Sequence, residues 1–333
     1  MKRYAGGVAA AVLLALVISV FYALGAFELP GSARVSDHGF TVKGYRLSGT
    51  LALPDTADTP AVVLIVHGDG PQDRWSDSAY LPMVNSLLAA GIGVFSWDKP
   101  GVGQSGGDWL SQSMTDRAEE AAAALRYLRD DLGHPHDRLG FLGFSQAGWV
   151  VPRASAETDA AYAVLIGPAI TWREQGAYYT ARRLERAGMS AADVEAAVAE
   201  NLAENDRMFG GGGDCAARED LSPARCGFVR LNYGADATVE IAAMETPALV
   251  LVGAEDLNVD PVETAEVYRR NTRHEVRVVP AATHSLLRAR HYNFQIAEDW
   301  PLWTRARFVL SGPRAYAPGV LEEIAQWIKA HAG

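Results

Sequence analysis

The stretch Gly143-Phe144-Ser145-Gln146-Ala147-Gly148 closes a short β-rich run, residues 139–144, and opens a helical pattern over residues 146–156. A strand that turns abruptly into a helix forces the residue at the bend into strained backbone geometry. Crowding there demands small residues two positions to either side. Gly143 and Ala147 meet that demand. The bend lifts the Ser145 hydroxyl clear of the sheet and leaves the Gln146 N–H at a helix N-terminus, where free N–H groups can receive an oxyanion. Two similar strings fail the same reading. Gly103-Gln104-Ser105-Gly106-Gly107 fits the serine pattern, and Gly101-Val102-Gly103-Gln104-Ser105-Gly106 fits a dinucleotide pattern. Gly107, Asp108 and Trp109 continue the loop after both, so neither string presents a helix N-terminus to a pyrophosphate.

Working outward, further β-rich runs fall at residues 40–45, 47–53, 61–66, 92–97, 162–166, 248–252 and 276–279. Several are unbroken apolar runs, as expected of strands buried on both faces. Helical periodicity fills gaps between them, at 116–132 and again at 319–332 near the end. The first two runs read as an antiparallel pair and the rest as a mostly parallel sheet with helices on both faces, an α/β fold. One segment breaks the alternation. Between Gly167 and Pro247 no strand run occurs, while residues 173–187 read as a helix ended by Gly188. Ser190 then reads as an N-cap with Asp193 three positions on, ahead of Val194, Val198 and Leu202. The expected organisation is an N-terminal segment (1–27), a core (28–167 and 247–333) and a helical cap over the strand ends (168–246). A decorative surface insertion is the competing reading of that last segment.

A serine hydroxyl is a weak nucleophile and needs a base. Of eight histidines, His284 is best placed, in the loop just past the run 276–279. His134 and His136 sit in a polar turn, His38 and His331 lie near the ends, and His274 precedes its strand. His291 follows no strand, and His67 belongs to a glycine turn. The acid that orients the imidazole is expected at another strand end: Asp256, in Gly253-Ala254-Glu255-Asp256, with Glu255 and Asp260 as competitors. The order Ser145, Asp256, His284 is one on which nucleophile–acid–base sites are built, with all three at C-terminal strand ends. A second oxyanion donor is expected from the turn His67-Gly68-Asp69-Gly70-Pro71, through the backbone N–H of Asp69. Arg74, a few residues on, could meet a substrate carboxylate, although the adjacent Asp73 offers an ordinary loop ion pair.

Taken together, these motifs resemble the α/β-hydrolase superfamily, and within it bacterial serine esterases and acyl hydrolases of the dienelactone-hydrolase-like kind. The resemblance runs from about Phe40 to the C-terminus, and includes the segment from Asp98 to Ser105 beside the motifs above. It implies a serine hydrolase of carboxylic esters, with Ser145 as nucleophile, Asp256 as acid, His284 as base and the Asp69 and Gln146 N–H groups as oxyanion hole. It implies no metal and no organic cofactor. Peptidase or thioesterase chemistry on the same residues is the alternative, as is a catalytically dead binding protein. The partner is a small acyl substrate, and no protein partner can be inferred.

Composition agrees with a soluble enzyme core. The 333 residues are 49% apolar and 21% charged, with a formal net charge of −10, so a phosphate backbone would be repelled and nucleic-acid binding is excluded as a starting point. The chain opens with Lys2 and Arg3 and then carries no charge from Ala5 through Phe27. As a helix that run spans about 35 Å, against a hydrocarbon core of about 30 Å. Its length favours a retained membrane anchor over a cleaved signal peptide, although Ala23-Leu24-Gly25 offers small residues for cleavage. Either way the catalytic part is expected outside the cytoplasm, as a periplasmic domain on the inner membrane or as a secreted protein. In such a compartment Cys215 and Cys226, eleven apart, can close a disulfide across a glycine-rich stretch.

Overall fold

The computed structural model describes residues 24–55, 59–215 and 221–333. The apolar run read as an anchor or signal segment lies, up to residue 23, outside the described residues. No described helix is long and apolar enough to cross a membrane.

Eight strands form one sheet: β1 (Arg34–Val42), β2 (Tyr45–Leu53), β3 (Val62–Val66), β4 (Gly93–Trp97), β5 (Leu139–Phe144), β6 (Tyr162–Ile166), β7 (Ala248–Gly253) and β8 (His274–Val279). Their spatial order is β1-β2-β4-β3-β5-β6-β7-β8. From β4 to β8 neighbours run parallel, whereas β1 and β2 form an antiparallel pair and β2 runs antiparallel to β4. The chain steps from β3 to β4 on one side and returns to β5 on the other. The crevice at the ends of β3 and β5 is therefore the switch point at which open α/β sheets place ligands.

The alternation of side chains across the sheet divides the core. Val62, Leu64 and Val66 pack with Ala118, Ala121 and Leu125 of α2 (Met114–Arg126), and with Val151 and Ala154 of α3 (Val151–Thr158). Val63 and Ile65 point the other way, onto Met83, Val84 and Leu87 of α1 (Leu81–Ala89) and Ile324 and Ile328 of α11 (Val320–His331). Both faces of β3 are covered, which explains its unbroken apolar run.

Several boundaries differ from the sequence reading. The run 40–45 is not one strand: β1 starts at Arg34 and the chain reverses at Lys43 and Gly44, both at positive φ (50° and 84°). That is the geometry a two-residue hairpin requires, and Lys-Gly signals it less clearly than Asn-Gly. Arg34 to Asp37 are exposed, so no apolar alternation marked the first half of β1. His274 begins β8 rather than preceding it. The expected helix over 116–132 is α2 followed by a widened turn, Tyr127–Asp131, and α2 starts earlier because Ser113 and Asp116 form a reciprocal capping box.

Between β6 and β7 the described residues hold helices and no strand: α4 (Trp172–Arg186), α5 (Ala191–Asn205), α6 (Pro223–Asn232) and α7 (Thr238–Ala243). Ser190 caps α5 through the Asp193 N–H, as its position suggested. No residue of α4 is fully buried and only Val194 of α5 is, so these helices do not rest on a core of their own. Cys215 and Cys226 are joined, with Cα atoms 5.7 Å apart, tying the start of α6 to the end of the glycine-rich stretch.

Candidate active site

Ser145 follows the last residue of β5 and has φ 53°, a left-handed conformation that costs an L-residue energy and aims its side chain out of the sheet. The chain then makes a tight turn, Ser145–Trp149, before α3. This is shorter than the continuous helix over 146–156 that the sequence suggested. The demand for small neighbours is met by direct contact: a Cβ added to Gly143 would lie 2.7 Å from the Ala147 Cβ.

His284 Nδ1 lies 2.7 Å from Asp256 Oδ2, with the carboxylate buried (1% exposed) and the imidazole partly so. With the proton on Nδ1 for this bond, Nε2 keeps its lone pair. The other Asp256 oxygen accepts the N–H groups of Asn258 (2.7 Å) and Val259 (3.0 Å), which fixes the carboxylate plane. The loops bearing acid and base are laced together by Ala254 N–H to Val279 and Glu255 N–H to Ala282. The two competing acids are engaged elsewhere. Asp260 caps α8 (Pro261–Arg269), and Glu255 is exposed and accepts from Asn293.

The imidazole rests on Gly167. A Cβ there would come within 2.7 Å of His284 Nδ1, and Gly167 has φ 53°, so this position needs glycine on two counts. Phe144 pairs with Ile166, which places Ser145 beside Gly167 across neighbouring strands, whose spacing is about 4.8 Å. Serine and imidazole thus converge on one strand end. Among the described residues the Ser145 hydroxyl makes no hydrogen bond, and catalytic contacts of this kind often tighten only with substrate bound.

The Gln146 N–H is at the start of the 145–149 turn, where no acceptor within the turn can reach it. Facing it is the turn after β3, which carries Asp69; a Cβ on Gly68 would stand 3.4 Å from the Ser145 Cβ. Buried cationic side chains that no motif marks tie these two turns together. The Arg117 guanidinium spans both, donating to the His67 carbonyl (2.5 Å) and to Gln146 Oε1 (2.6 Å). Lys99 Nζ donates to the carbonyls of Gly68 (2.6 Å) and Gly70 (2.8 Å). Burial, and then the nearby Arg117 charge, drives the Lys99 ammonium well below its usual range. Burial likewise lowers Arg117 and raises Glu120, whose carboxylate accepts the Trp97 indole N–H and a Gln112 side-chain amide N–H. His67 Nε2 meets the Trp97 carbonyl (2.7 Å), and burial followed by the Lys99 charge pulls its pKa down to about 3. His67 is therefore a neutral spacer.

Arg74 does not pair with Asp73 as the sequence suggested. It grips Asp98 through Nε (2.9 Å) and Nη2 (2.7 Å), while Asp73 accepts the N–H groups of Trp75 and Asp77. Burial works against the Asp98 charge, but Arg74 outweighs it and holds the carboxyl below its usual range.

The helices between β6 and β7 reach this site through polar clips. Tyr178 donates to the Asp256 carbonyl (2.8 Å) and Gln175 to that of Asn258 (2.9 Å). Arg225 of α6, one residue before the disulfide, pairs with the exposed Asp69 carboxylate through Nη1 (2.8 Å) and Nη2. Periodicity marks none of these three residues, because each acts through the polar tip of one side chain on an otherwise ordinary helix face. Two open depressions lie away from these residues, one bordered by Trp149 and Asn232 and the other by Arg288 and Arg314; neither is lined by Ser145, Asp256 or His284.

A family model described as serine aminopeptidase, S33 matches residues 57–290. Among solved structures, an esterase from Pyrococcus furiosus superposes with TM-score 0.60 at 18% identity, over 91% of this chain and 93% of that one. Carboxyl esterase 2 from Tuber melanosporum gives 0.54 at 17% identity (91% and 88%). Dienelactone hydrolase from Anabaena variabilis gives 0.53 at 14% identity (91% and 100%). These likenesses establish a shared fold. No curated protein matches the sequence significantly.

Proposed function

The chain belongs to the serine aminopeptidase S33 family, within the α/β-hydrolase superfamily, and from that premise we propose that it cleaves a carboxylic ester through an acyl-enzyme on Ser145. The observation that carries this reading is the His284–Asp256 bond, with its ring lying on Gly167 beside a serine held at positive φ. Ser145 Oγ attacks the carbonyl carbon as His284 Nε2 takes its proton, and Asp256 stabilises the imidazolium through Nδ1–H. The carbonyl oxygen becomes an oxyanion between the Gln146 and Asp69 N–H groups. His284 returns the proton to the departing alcohol. Water, deprotonated by the same imidazole, then splits the acyl-enzyme and releases the acid. The residues used need no metal or organic cofactor. Placement outside the cytoplasm is supported by Lys2 and Arg3 ahead of the uncharged run, and by the Cys215–Cys226 bond.

A fluorophosphonate probe tests the reading directly. The wild-type protein should be tagged at Ser145 and the Ser145→Ala protein should not. An untagged wild-type protein, or a tag at another residue, refutes it. The family description favours aminopeptide cleavage as the second reading. Comparing p-nitrophenyl acyl esters with aminoacyl p-nitroanilides separates the two, with faster turnover of the ester expected.

A further inference from the structure

The strongest feature outside the site is a depression of about 360 Å³ whose charged lining is three arginines, Arg288, Arg307 and Arg314, beside His291, Tyr292 and Leu310. No Asp or Glu lines it, in a protein whose formal net charge is −10. Among the described residues, Arg307 and Arg314 have no ion-pair partner, and Arg288 spends its Nε–H on the Tyr316 carbonyl (3.1 Å). The nearest acids in sequence lie in other elements, Glu298 and Asp299 in the preceding turn and Glu322 in α11. Uncompensated like charges repel one another, so such a cluster is stabilised by an anion brought from outside.

A second observation says which anion. The helix α10 (Leu302–Ser311) is turned with its apolar side to solvent as well as to the core. Thr304, Phe308 and Ser311 face inward, and Phe308 packs on Tyr292 and Trp300. An adjoining stripe, about 100° round the helix, carries Trp303, Arg307 and Leu310 at i, i+4 and i+7, and Leu302 lies farther round on the solvent side. Leu302, Trp303 and Leu310 are 85%, 59% and 53% exposed. A helix that offers Trp and Leu beside Arg has the composition of one lying in a bilayer interface. The chain's own route agrees. Phe27 packs edge-on against Phe308 (5.4 Å between centroids), so the uncharged run starting at Ala5 joins the described structure on the inner side of this helix.

We propose that this face binds the phosphate headgroups of an anionic membrane, with the arginine depression taking the phosphate and Trp303, Leu302 and Leu310 entering the interface. The acidic remainder of the protein would be repelled by the same surface, which orients the molecule on it; screening beyond about 10 Å keeps the two effects separate. The proposal is independent of the chemistry at Ser145.

The test floats full-length protein with phosphatidylcholine vesicles and with vesicles also containing phosphatidylglycerol. The partition coefficient should favour the anionic vesicles by at least ~10-fold at low salt, and the preference should shrink as NaCl is added. Arg307→Glu with Arg314→Glu should remove that preference. Arg126→Glu with Arg129→Glu, the same charge change in α2 and the turn after it, should leave it intact. Thermal melts of both double variants confirm folding. A preference that survives the first pair, or that falls equally with the second, overturns the proposal. So does its abolition by millimolar inorganic phosphate at matched ionic strength, which would make the site one for small free anions.

Discussion

The floor of the site and the helices above it are held by different physics. The floor is made of strand ends whose residues are buried on both sides, and its polar groups are internal: Arg117 and Lys99 bond carbonyls of the turn after β3, Arg117 also bonds the Gln146 side chain, and Glu120 takes the side-chain N–H groups of Trp97 and Gln112. Helices α4 and α5 bury almost nothing and carry exposed ion pairs such as Arg173–Asp206. Helix α4 reaches the floor through single polar atoms, Tyr178 to Asp256 and Gln175 to Asn258, and α6 reaches it through the partly exposed pair of Arg225 with Asp69. Burial of that extent fixes a geometry, while exposed pairs contribute about 0–1 kcal/mol each. On the proposed reading, reactivity belongs to the buried part and substrate selection to the helices held by exposed contacts.

The largest effects should come from the floor. Ser145→Ala and His284→Ala should each cut ester hydrolysis by at least ~10³-fold, read as kcat/KM on purified protein. Wild-type rates in either would dismantle the assignment. Next, Arg117→Met keeps bulk but releases the His67 carbonyl and the Gln146 side chain together. It should lower kcat by about 10²-fold with KM little changed, the signature of lost transition-state contact. A rise in KM alone would move Arg117 out of the floor's machinery.

A pH titration sharpens the contrast further. His67 has a folded pKa of about 3 against 6.5 unfolded, so the unfolded chain takes up the proton first as acid is added. Stability from this group is present above pH 6.5 and is lost as pH falls toward 3. By pH 5 the loss should reach roughly 2 kcal/mol. Urea midpoints of wild type and His67→Gln, compared between pH 7 and 5, should converge by about that amount. Parallel curves would show that the floor tolerates charge there. The smallest effect belongs to the upper helices: Arg225→Met should change short-chain ester turnover by less than about 3-fold, in keeping with a partly exposed pair. It should also raise relative turnover of longer acyl chains. A 10²-fold loss on short esters would show that the pair is part of the floor after all.

The sequence made the floor readable because burial imposes period and punctuation. The apolar runs of β3, β5, β6 and β7, the small residues around Ser145 and the strand-end positions of Asp256 and His284 all follow from packing. It concealed Arg117 and Lys99. One sits in an alanine-rich helix and the other in a glycine loop, and a charged residue normally signals solvent. Arg74 misled for a related reason: its partner Asp98 is 24 residues away, and the adjacent Asp73 offered a simpler explanation. The clips of the upper helices have no pattern at all, since one hydroxyl or guanidinium at one position creates no periodicity. The eleven-residue separation of the cysteines was readable, but not that their bond would brace the arginine beside Cys226.

That arginine couples two things usually treated separately. Asp69 offers its amide to the reacting oxygen in the proposed mechanism, and its carboxylate is roped to α6. A bulky guest that pried the roof upward would drag on the very peptide it needs for reaction. Such a guest would still be admitted, yet would be processed slowly, so discrimination by size would register as sluggish chemistry and not as poor uptake.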